Sequence, residues 1–351
     1  MQRSLNIKGV TIKNRFAVPP MVCFEWSDDN GYVTDKNIAH YTEYAKGGFG
    51  LIIVEATAVT KRSRLADTEL GIWDDSHIEG LIKITDAVHE YGSKVFIQLL
   101  HAGGNGIDTE PDAPSDMIYR NVNHAKEMSK ECIKKTIDDF AKAAVRAKKA
   151  GFDGVELHGC HGYLISNFFN SRTNKRSDEY GENKALFAIE TLKAVKEACG
   201  DSFVTGIRFG GFEPLLEDGL KNAKAIEAYT DFIDVSYGGD CDAYAPDDFK
   251  CSPAVYAAKM IKESMPEMPV FCVHNINSKE DVINALNTGV DMVDIGKASL
   301  VDPHFAKHLL NDEEYGHCLH CSNYCRWNPW EMKDPGKKCP GAIKFADIVL
   351  K

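Results

Sequence analysis

Eight short apolar runs recur along the chain with helical patterns between them, and this alternation constrains the fold more than any other feature. Each run has the length and the apolar or β-branched content of a buried strand. When eight parallel strands alternate with helices, they close into a (β/α)8 barrel. The predicted strands cover residues 16–18, 50–55, 94–99, 153–157, 203–209, 232–236, 270–273 and 292–296.

The stretches between these runs show the periodicity of amphipathic helices, among them 78–89, 133–150, 185–198 and 279–286. A doubly wound open sheet is the rival architecture, but its dinucleotide fingerprint, GxGxxG after the first strand, is absent from the sequence. A barrel of this kind commonly uses about 250 residues or more as one unit. We therefore predict an α/β protein with a (β/α)8 TIM barrel over residues 1–312 and a short cysteine-rich extension over residues 313–351.

The net charge of −11 over 351 residues argues against nucleic acid or an anionic membrane surface as the main partner. No apolar run approaches the roughly 18 residues that span a bilayer, and the first residues lack the apolar core of a signal peptide. We expect a cytoplasmic protein without a membrane partner. In that reducing compartment, the seven cysteines scattered from Cys23 to Cys272 are predicted to be buried free thiols.

His158, His161 and Tyr163 follow directly on the fourth predicted strand. The carboxyl ends of barrel strands are the places where catalytic side chains collect. Two imidazoles can donate hydrogen bonds to one oxyanion, and a phenol can deliver a proton to a carbanion, so the three residues together suggest polarisation of a carbonyl. Two other interpretations stay open from the residues alone: structural histidines beside a core tyrosine, and a metal site that includes Cys160.

The segment that contains these residues, HGCHGYLISNFFNSRTNKRSDEYG, closely resembles the signature of the old yellow enzyme family of FMN-dependent oxidoreductases. The resemblance extends over nearly the whole chain. In that family, the pair that matches His158 and His161 holds the carbonyl or nitro oxygen of the substrate, and the tyrosine that matches Tyr163 is the proton donor. The resemblance thus implies catalytic roles for all three residues.

The function implied by the resemblance is that of an ene-reductase, which reduces the activated C=C bond of a small alkene or enone-type substrate. A hydride would pass from flavin N5, with NADH or NADPH as the electron donor. Amine dehydrogenation within the same family, or a subunit that transfers electrons through FMN and an iron-sulfur cluster, are the alternatives. A metal-dependent barrel hydrolase is the alternative from another class, and a homo-oligomer is left open.

The resemblance also implies which residues hold the flavin. Two of them have a chemical argument of their own. Gln98 ends the third predicted strand, where its amide can pair with the pyrimidine edge of an isoalloxazine, and Arg208 is a cation in an apolar strand, which needs an anionic partner in the barrel mouth. The full implied set is Pro20, Met21, Val22, Ala56, Gln98, Arg208, His274, Asn275, Gly296 and Lys297.

Three of these positions depart from the family pattern. Val22 stands where Thr or Cys usually hydrogen-bonds the flavin O4. Since valine cannot donate, either Cys23 substitutes through a shifted register or the contact is missing. His274 stands where glycine is common, and Lys297 replaces the usual arginine in the phosphate loops. Lysine still binds phosphate as a point charge, without the bidentate fork of arginine.

Four cysteines crowd the end of the chain with the spacing C-x2-C-x3-C-x13-C, namely Cys318, Cys321, Cys325 and Cys339. This spacing suits a four-thiolate site for zinc or for an iron-sulfur cluster, and thiolate chemistry leaves both metals open. Longer relatives of old yellow enzyme, such as 2,4-dienoyl-CoA reductase and trimethylamine dehydrogenase, carry a 4Fe-4S cluster on similar spacing. The resemblance therefore favours the cluster over zinc, with a separate electron-donor protein or subunit as a partner.

Overall fold

The computed structural model describes residues 1–119, 123–321 and 339–349. The strands, in chain order, are β1 (Leu5–Ile7), β2 (Val10–Ile12), β3 (Phe16–Val18), β4 (Leu51–Ala58), β5 (Lys94–Leu100), β6 (Asp112–Ala113), β7 (Met117–Tyr119), β8 (Asn123–Glu127), β9 (Gly154–Gly159), β10 (Val204–Gly210), β11 (Ile233–Ser236), β12 (Val270–Cys272) and β13 (Met292–Asp294). The α-helices are α1 (Asp35–Lys46), α2 (Ile78–His89), α3 (Lys130–Lys149), α4 (Leu164–Phe169), α5 (Glu179–Glu182), α6 (Leu186–Cys199), α7 (Leu216–Ile226), α8 (Pro253–Ser264), α9 (Lys279–Leu286), α10 (Lys297–Val301), α11 (Phe305–Leu310) and α12 (Pro340–Val349). Short 3-10 turns lie at Lys61–Ser63, Asp75–His77, Gly103–Asn105 and Glu227–Tyr229.

Eight of these strands, all within the described ranges, run parallel and close into a barrel in the order β3, β4, β5, β9, β10, β11, β12 and β13. The last strand returns to the first, with Val293 beside Phe16 and Asp294 beside Ala17. The predicted (β/α)8 barrel is confirmed. Each of the eight predicted runs overlaps one barrel strand, and the ends differ by at most three residues.

Helix α3 begins at Lys130, earlier than the predicted start at residue 133. The side chain of Ser129 accepts a hydrogen bond from the backbone N–H of Cys132 and so caps the helix. The first turn is charged, and apolar periodicity begins only at the buried Ile133, which explains the late prediction. The predicted helices 78–89 and 279–286 agree with α2 and α9.

The barrel strands alternate between two environments, as the two-residue period of a strand requires. On β5, Val95 and Ile97 pack in the large core that the strands share with the helices, whereas Phe96 belongs to a smaller cluster inside the barrel. Because this inner cluster includes Ile7 and Ile12 of the β1–β2 hairpin, the hairpin closes the amino end of the barrel. The cluster consists of Ile7, Ile12, Ala17, Leu51, Ile53, Phe96, Val204, Phe232, Phe271 and Met292.

Two glycines make room for the rings of the inner cluster. A Cβ atom at Gly206 would lie 2.0 Å from Cε1 of Phe232, and a Cβ atom at Gly154 would lie 3.0 Å from Cε1 of Phe96. The first distance is a clash and the second is very tight, so both positions favour glycine for the close approach of an aromatic ring. The strands that carry these glycines present an ionisable side chain two residues later, Glu156 after Gly154 and Arg208 after Gly206.

The chain between β5 and α3 forms a small sheet in the order β6, β8, β7, which the sequence patterns do not predict. Met117 and Ile118 of β7 line a cavity of about 390 Å³ together with Asn105 and His161. This insertion therefore forms part of the wall beside one of the predicted catalytic residues.

The chain after α11 runs along the barrel. The backbone N–H of Gly316 donates to the carboxylate of Asp302 at 3.1 Å, and the hydroxyl of Tyr315 accepts from the backbone N–H of Lys279 at 3.2 Å. These contacts fasten the start of the extension to the barrel, and the predicted domain boundary after residue 312 stays a prediction. The described helices include none that is long and apolar enough to cross a bilayer.

The described cysteines are free thiols. Of the seven scattered ones, the prediction of burial is confirmed for Cys23, Cys160, Cys199 and Cys272, and it is wrong for the half-buried Cys132, Cys241 and Cys251. The half-buried thiols lie in the first turn of α3 and in the long connection between β11 and α8, where one side of the chain faces solvent.

Candidate active site

The segment after β9 brings His158, His161 and Tyr163 together. His158 lies on the strand itself, and His161 and Gly162 adopt left-handed backbone conformations, with φ of 63° and 73°. The chain therefore turns sharply, and Tyr163 becomes the N-cap residue of α4. The ring of His158 lies 4.7 Å from the ring of Tyr163 and 5.0 Å from the ring of His161, measured between centroids. The three predicted catalytic side chains share one site at the carboxyl end of the barrel.

The two imidazoles face each other, with Nδ1 of His161 at 3.4 Å from Nε2 of His158. Burial, reinforced by Arg208 and His274, lowers the pKa of His161 to about 3. Burial, reinforced by His161 and Arg208, lowers the pKa of His158 well below its usual value. Both rings are therefore neutral at physiological pH, and each carries one N–H.

Nδ1 of His158 is buried and has no hydrogen-bond partner within the described part of the chain. Most buried polar atoms in proteins do have a partner, so an exception calls for a specific reason. A purely structural histidine would be expected to have both ring nitrogens satisfied or exposed. The unsatisfied nitrogen thus counts against that interpretation.

A row of hydrogen bonds leads from His161 away from His158 and Tyr163. Nε2 of His161 lies 2.9 Å from Oγ of Ser236, and this Oγ lies 3.2 Å from Nε2 of His274. The ring of His274 stacks on Tyr237, with centroids 4.6 Å apart and planes at 18°. Burial, then Arg208 and Lys297, lowers the pKa of His274 to about 4, so this ring is also neutral.

Gln98 and Glu156 lie side by side on the inner faces of β5 and β9. Nε2 of Gln98 donates to the carboxyl of Glu156 at 2.7 Å. This bond fixes the amide orientation, and it leaves Oε1 of Gln98 buried without a partner among the described residues. Burial, and then the charge of Asp234, raises the pKa of Glu156 well above its usual value.

Arg208 has the anionic partners that its position in an apolar strand requires. Its guanidinium pairs with the carboxylate of Asp234 on β11 and lies 3.5 Å from that of Asp294 on β13. Burial disfavours the charge of Arg208, but Asp234, Glu156 and Asp294 raise its pKa overall. Burial, and then Asp234, raises the pKa of Asp294 well above its usual value. One cation thus faces three buried carboxyls, two of which favour the protonated form.

A cavity of about 210 Å³ opens beside Arg208, between the loops after β3, β12 and β13. Among its lining residues are seven of the ten predicted flavin contacts, namely Pro20, Met21, Arg208, His274, Asn275, Gly296 and Lys297. The other three lie nearby in the barrel mouth or interior: Gln98 beside Glu156, and Val22 and Ala56 in a small apolar cluster against which Tyr163 packs. The structure therefore gathers the predicted set in one region.

Cys23 is turned away from Val22 and toward the interior. Its backbone N–H donates to the buried carboxyl of Glu55 at 2.6 Å, and its thiol lies 3.5 Å from the carbonyl oxygen of Met21. Burial, then Glu55, raises the pKa of the Cys23 thiol well above its usual value. Val22, by contrast, packs with the cluster that includes Tyr163. Of the two alternatives for this position, the geometry favours a flavin site without a side-chain donor here.

FMN, which the resemblance implies, fits the residues that are present. The unsatisfied Oε1 of Gln98 is an acceptor for an N–H group such as that of the pyrimidine edge of the flavin. Arg208 would offer a cation where negative charge develops on the ring, and Lys297 would offer one for the phosphate. A Cβ at Gly296 would meet no atom closer than 3.7 Å, so the backbone there is open to a ligand.

Several residues of this site are missed by the sequence patterns: Glu55, Glu156, Asp234, Ser236 and Asp294. A signal for most of them exists in the alternation of the strands. Glu156 stands two residues before His158, and Asp234 stands two residues before Ser236, so each pair shares the inner face of one strand. A polar residue on that face near the carboxyl end of a strand is a candidate for the site.

The predicted metal sites find no support in the geometry. Within residues 1–119, 123–321 and 339–349, no group of three or more His, Cys, Asp or Glu residues is arranged to hold a metal ion. This finding includes His158, His161 and Cys160, and it includes the half-buried Cys318, Cys321 and Cys339. Cys325, the fourth predicted ligand of the tail, lies outside the described residues.

Comparisons with known proteins agree with this geometry. The model of the NADH:flavin oxidoreductase / NADH oxidase family matches residues 3–314. An NADPH dehydrogenase of Clostridium acetobutylicum is 38% identical over 315 residues, which cover 85% of this chain and 91% of that protein.

Two solved structures show the same fold. The old yellow enzyme homologue of Zymomonas mobilis superposes with a TM-score of 0.76 at 25% identity, over 91% of this chain and 94% of that one. A 2-naphthoyl-CoA reductase superposes with a TM-score of 0.81 at 25% identity over 89% of this chain, which spans only 52% of the reductase. The chain therefore belongs to the NADH:flavin oxidoreductase / NADH oxidase family, which includes the old yellow enzymes, and it is an FMN-dependent NAD(P)H oxidoreductase.

Proposed function

We propose that this oxidoreductase is an ene-reductase, which reduces the activated C=C bond of a small alkene or enone. The observation that carries the proposal is the convergence of Nδ1 of His161 and Nε2 of His158, on two neutral rings, beside Tyr163. An oxygen atom that lies within hydrogen-bonding distance of both nitrogens, which are 3.4 Å apart, can accept a hydrogen bond from each ring that presents its N–H there. A module that only transfers electrons needs none of the three side chains, so their arrangement favours a substrate site.

Each side chain has one task in this reaction. Bound FMN, once reduced by NAD(P)H, would supply the hydride for the β-carbon of the alkene. His158 and His161 hold the carbonyl oxygen and stabilise the negative charge that develops on it, in a buried site where such donors are most effective. Tyr163 delivers a proton to the α-carbon. Met117 and Ile118, on the wall of the cavity that His161 also lines, suit an apolar substrate body.

The proposed electron donor is NADPH, because the Clostridium acetobutylicum relative is an NADPH dehydrogenase. Anaerobic reduction of the FMN-loaded protein should be faster with NADPH than with NADH at equal concentrations. Equal rates, or faster reduction by NADH, would contradict this choice. The cytoplasmic location and the homo-oligomer stay predictions.

The binding of a phenol such as 4-hydroxybenzaldehyde tests the oxygen site, because a phenolate resembles the enolate oxygen of the reaction. Replacing both His158 and His161 by alanine should weaken binding roughly a hundredfold or more, since each hydrogen bond to a charged atom contributes roughly 1.5–3 kcal/mol. Isothermal titration of the FMN-loaded proteins measures the change. His124→Ala, at an exposed histidine, is the control. If the double variant binds the phenol as tightly as the control, the two imidazoles do not form the oxygen site.

A second proposal concerns the cofactor of the tail, a 4Fe-4S cluster held by Cys318, Cys321, Cys325 and Cys339. Its support is the cysteine spacing alone. The sulfurs of the three described cysteines do not form a metal site in the structure. Protein purified without oxygen should contain roughly four irons per chain. Cys321→Ala should remove the iron and leave FMN bound, since the flavin residues lie on the barrel. One zinc and no iron per chain would rule out the cluster.

A further inference from the structure

The row His161–Ser236–His274 imposes a constraint on where the protons lie. The hydroxyl of Ser236 carries a single hydrogen, yet Oγ lies within hydrogen-bonding distance of a ring nitrogen on each side, at 2.9 Å from His161 and 3.2 Å from His274. It can donate to only one of these nitrogens. For both contacts to be hydrogen bonds, the other nitrogen must carry a hydrogen and donate to Oγ.

Because each ring is neutral and has one N–H, and Oγ can donate one hydrogen bond and accept two, three arrangements satisfy both contacts. In the first, Nε2–H of His274 donates to Ser236, Ser236 donates to Nε2 of His161, and the hydrogen of His161 lies on Nδ1. In the second, every bond is reversed, and in the third, Nε2–H of each ring donates to Oγ. Nδ1 of His161 faces His158, and it is a bare lone pair in the second and third arrangements, so only the first presents an N–H to a bound oxygen.

We propose that Ser236 and His274 are positioning residues, which hold His161 in the tautomer that directs Nδ1–H at the oxygen of the substrate. The proposal rests on the proposed function, because it takes His161 to be a ligand of that oxygen. In the other two arrangements, a lone pair of His161 would face a negatively charged oxygen, and only His158 could donate to it. A bound oxygen therefore selects the first arrangement.

His274 suits this role by its placement as well as by its bond. It has a left-handed backbone conformation, with φ of 81°, at a position where glycine is common in the family. A side chain other than glycine in this conformation is uncommon and strained, so a compensating interaction is expected. The stack on Tyr237 and the bond to Ser236 are the interactions that hold the ring in place. They aim Nε2 at the hydroxyl.

The tautomer of His161 can be read directly by NMR, because a protonated and a bare ring nitrogen have well-separated 15N shifts. The FMN-loaded protein, labelled with 15N-histidine and saturated with 4-hydroxybenzaldehyde, should show His161 with the hydrogen on Nδ1. His161 with the hydrogen on Nε2 in this complex would overturn the proposal. The measurement is made on the unsubstituted protein, and His161→Asn serves only to assign the signal.

Variants of the row test whether it causes the tautomer. Ser236→Ala removes the donor to Nε2 of His161, so phenol affinity should fall roughly tenfold, as expected for one hydrogen bond to a charged atom. The tautomer of His161 should then become mixed or shift toward Nε2–H. His274→Gly should have a smaller effect in the same direction, and His274→Gln, which keeps an N–H donor at a similar reach, should restore most of the affinity.

Ser93→Ala is the matched control, because Ser93 is a buried serine whose hydroxyl donates to a backbone carbonyl, that of Phe49, away from the catalytic residues. The affinities refer to FMN-loaded protein, since His274 also lines the cavity beside Arg208. If the His158 and His161 double variant keeps its phenol affinity, the proposed function fails. If that variant loses affinity while Ser236→Ala keeps both the affinity and the tautomer of the unsubstituted protein, the positioning role alone fails.

Discussion

The two ends of the barrel interior are built from the same strands but have opposite chemistry. At the amino end, Phe96, Phe232 and Phe271 lie against one another, with ring centroids 5.5 Å and 4.8 Å apart along the row. Gln98 follows Phe96 by two residues and Asp234 follows Phe232 by two residues, so each pair lies on the same inner face. One step of the strand period therefore separates a layer that contributes to stability from a layer of buried polar groups.

The polar layer would be a poor way to stabilise a fold. Arg208 faces three buried carboxyls, and burying charges costs free energy that pairing only partly offsets. Oε1 of Gln98 and Nδ1 of His158 are also left without partners in the described chain. Such costs are common at functional sites, where a ligand completes the interactions. The difference between the layers locates the site independently of any resemblance.

The largest expected effect comes from the amino-end layer. Phe232→Ala should lower the free energy of unfolding by roughly 3–5 kcal/mol, because it leaves a cavity among stacked rings. The FMN affinity of the protein that remains folded should stay unchanged. Urea unfolding and FMN titration measure the two quantities, and Phe232→Leu, which keeps most of the volume, should cost less than about 1.5 kcal/mol. A large loss of FMN affinity in Phe232→Ala would contradict the separation between a layer that stabilises the fold and a layer that binds the flavin.

Arg208 gives the complementary test in the polar layer. Arg208→Met should weaken FMN binding by roughly 1.5–3 kcal/mol, since it removes charged hydrogen-bond donors from the cavity that the flavin would occupy. Arg208→Lys keeps the charge and should lose less. Equilibrium titration of the apoproteins with FMN distinguishes the two variants. Equal affinity in Arg208→Met and the unsubstituted protein would mean that the flavin does not use this cation.

The pH dependence of stability sharpens the comparison further. The pKa of His161 is about 3 in the folded protein, whereas an unfolded histidine titrates near 6.5. As the pH falls below 6.5, only the unfolded chain binds this proton, so stability that is present above 6.5 is progressively lost toward pH 3. His161→Gln should remove about 1.7 kcal/mol of the loss between pH 6.5 and 5. Urea unfolding across this range measures the pH dependence, with His124→Gln as the control. Equal slopes of the free energy of unfolding against pH in the two variants would refute the assignment.

The sequence predicts the barrel, and the cluster of His158, His161 and Tyr163 after one of its strands, because both depend on local patterns. Apolar runs mark the strands, and the segment from His158 to Tyr163 follows one of them. Glu156 and Asp294 are harder to predict. Alternation with His158 places Glu156 on the inner face without showing what it contacts, and a single polar residue such as Asp294 in an apolar strand does not show whether it points inward or toward the helices. Their importance appears only when strands that are distant in sequence place them around Arg208.

The departures from the family pattern are likewise explained only by contacts that the structure shows. His274 is visible in the sequence as an unusual residue, but its bond to Ser236 depends on how β11 and β12 lie side by side. The choice between Val22 and Cys23 likewise needs Glu55, which accepts from the backbone of Cys23. Both cases involve contacts between neighbouring strands or their loops, which a pattern along one segment does not contain.

The reoxidation of reduced FMN by an enone in Tyr163→Phe tests the central claim most directly. FMN-loaded protein would be reduced with NADPH under anaerobic conditions and mixed with 2-cyclohexenone, and both half-reactions would be followed by flavin absorbance. The unsubstituted protein should be reoxidised and form the saturated ketone. Tyr163→Phe should be reduced at nearly the same rate, whereas its reoxidation should be slower by roughly 10²–10⁴-fold, as expected for a lost general acid. Failure of the enone to reoxidise the unsubstituted protein, or equal reoxidation rates in the two proteins, would contradict the proposed reaction.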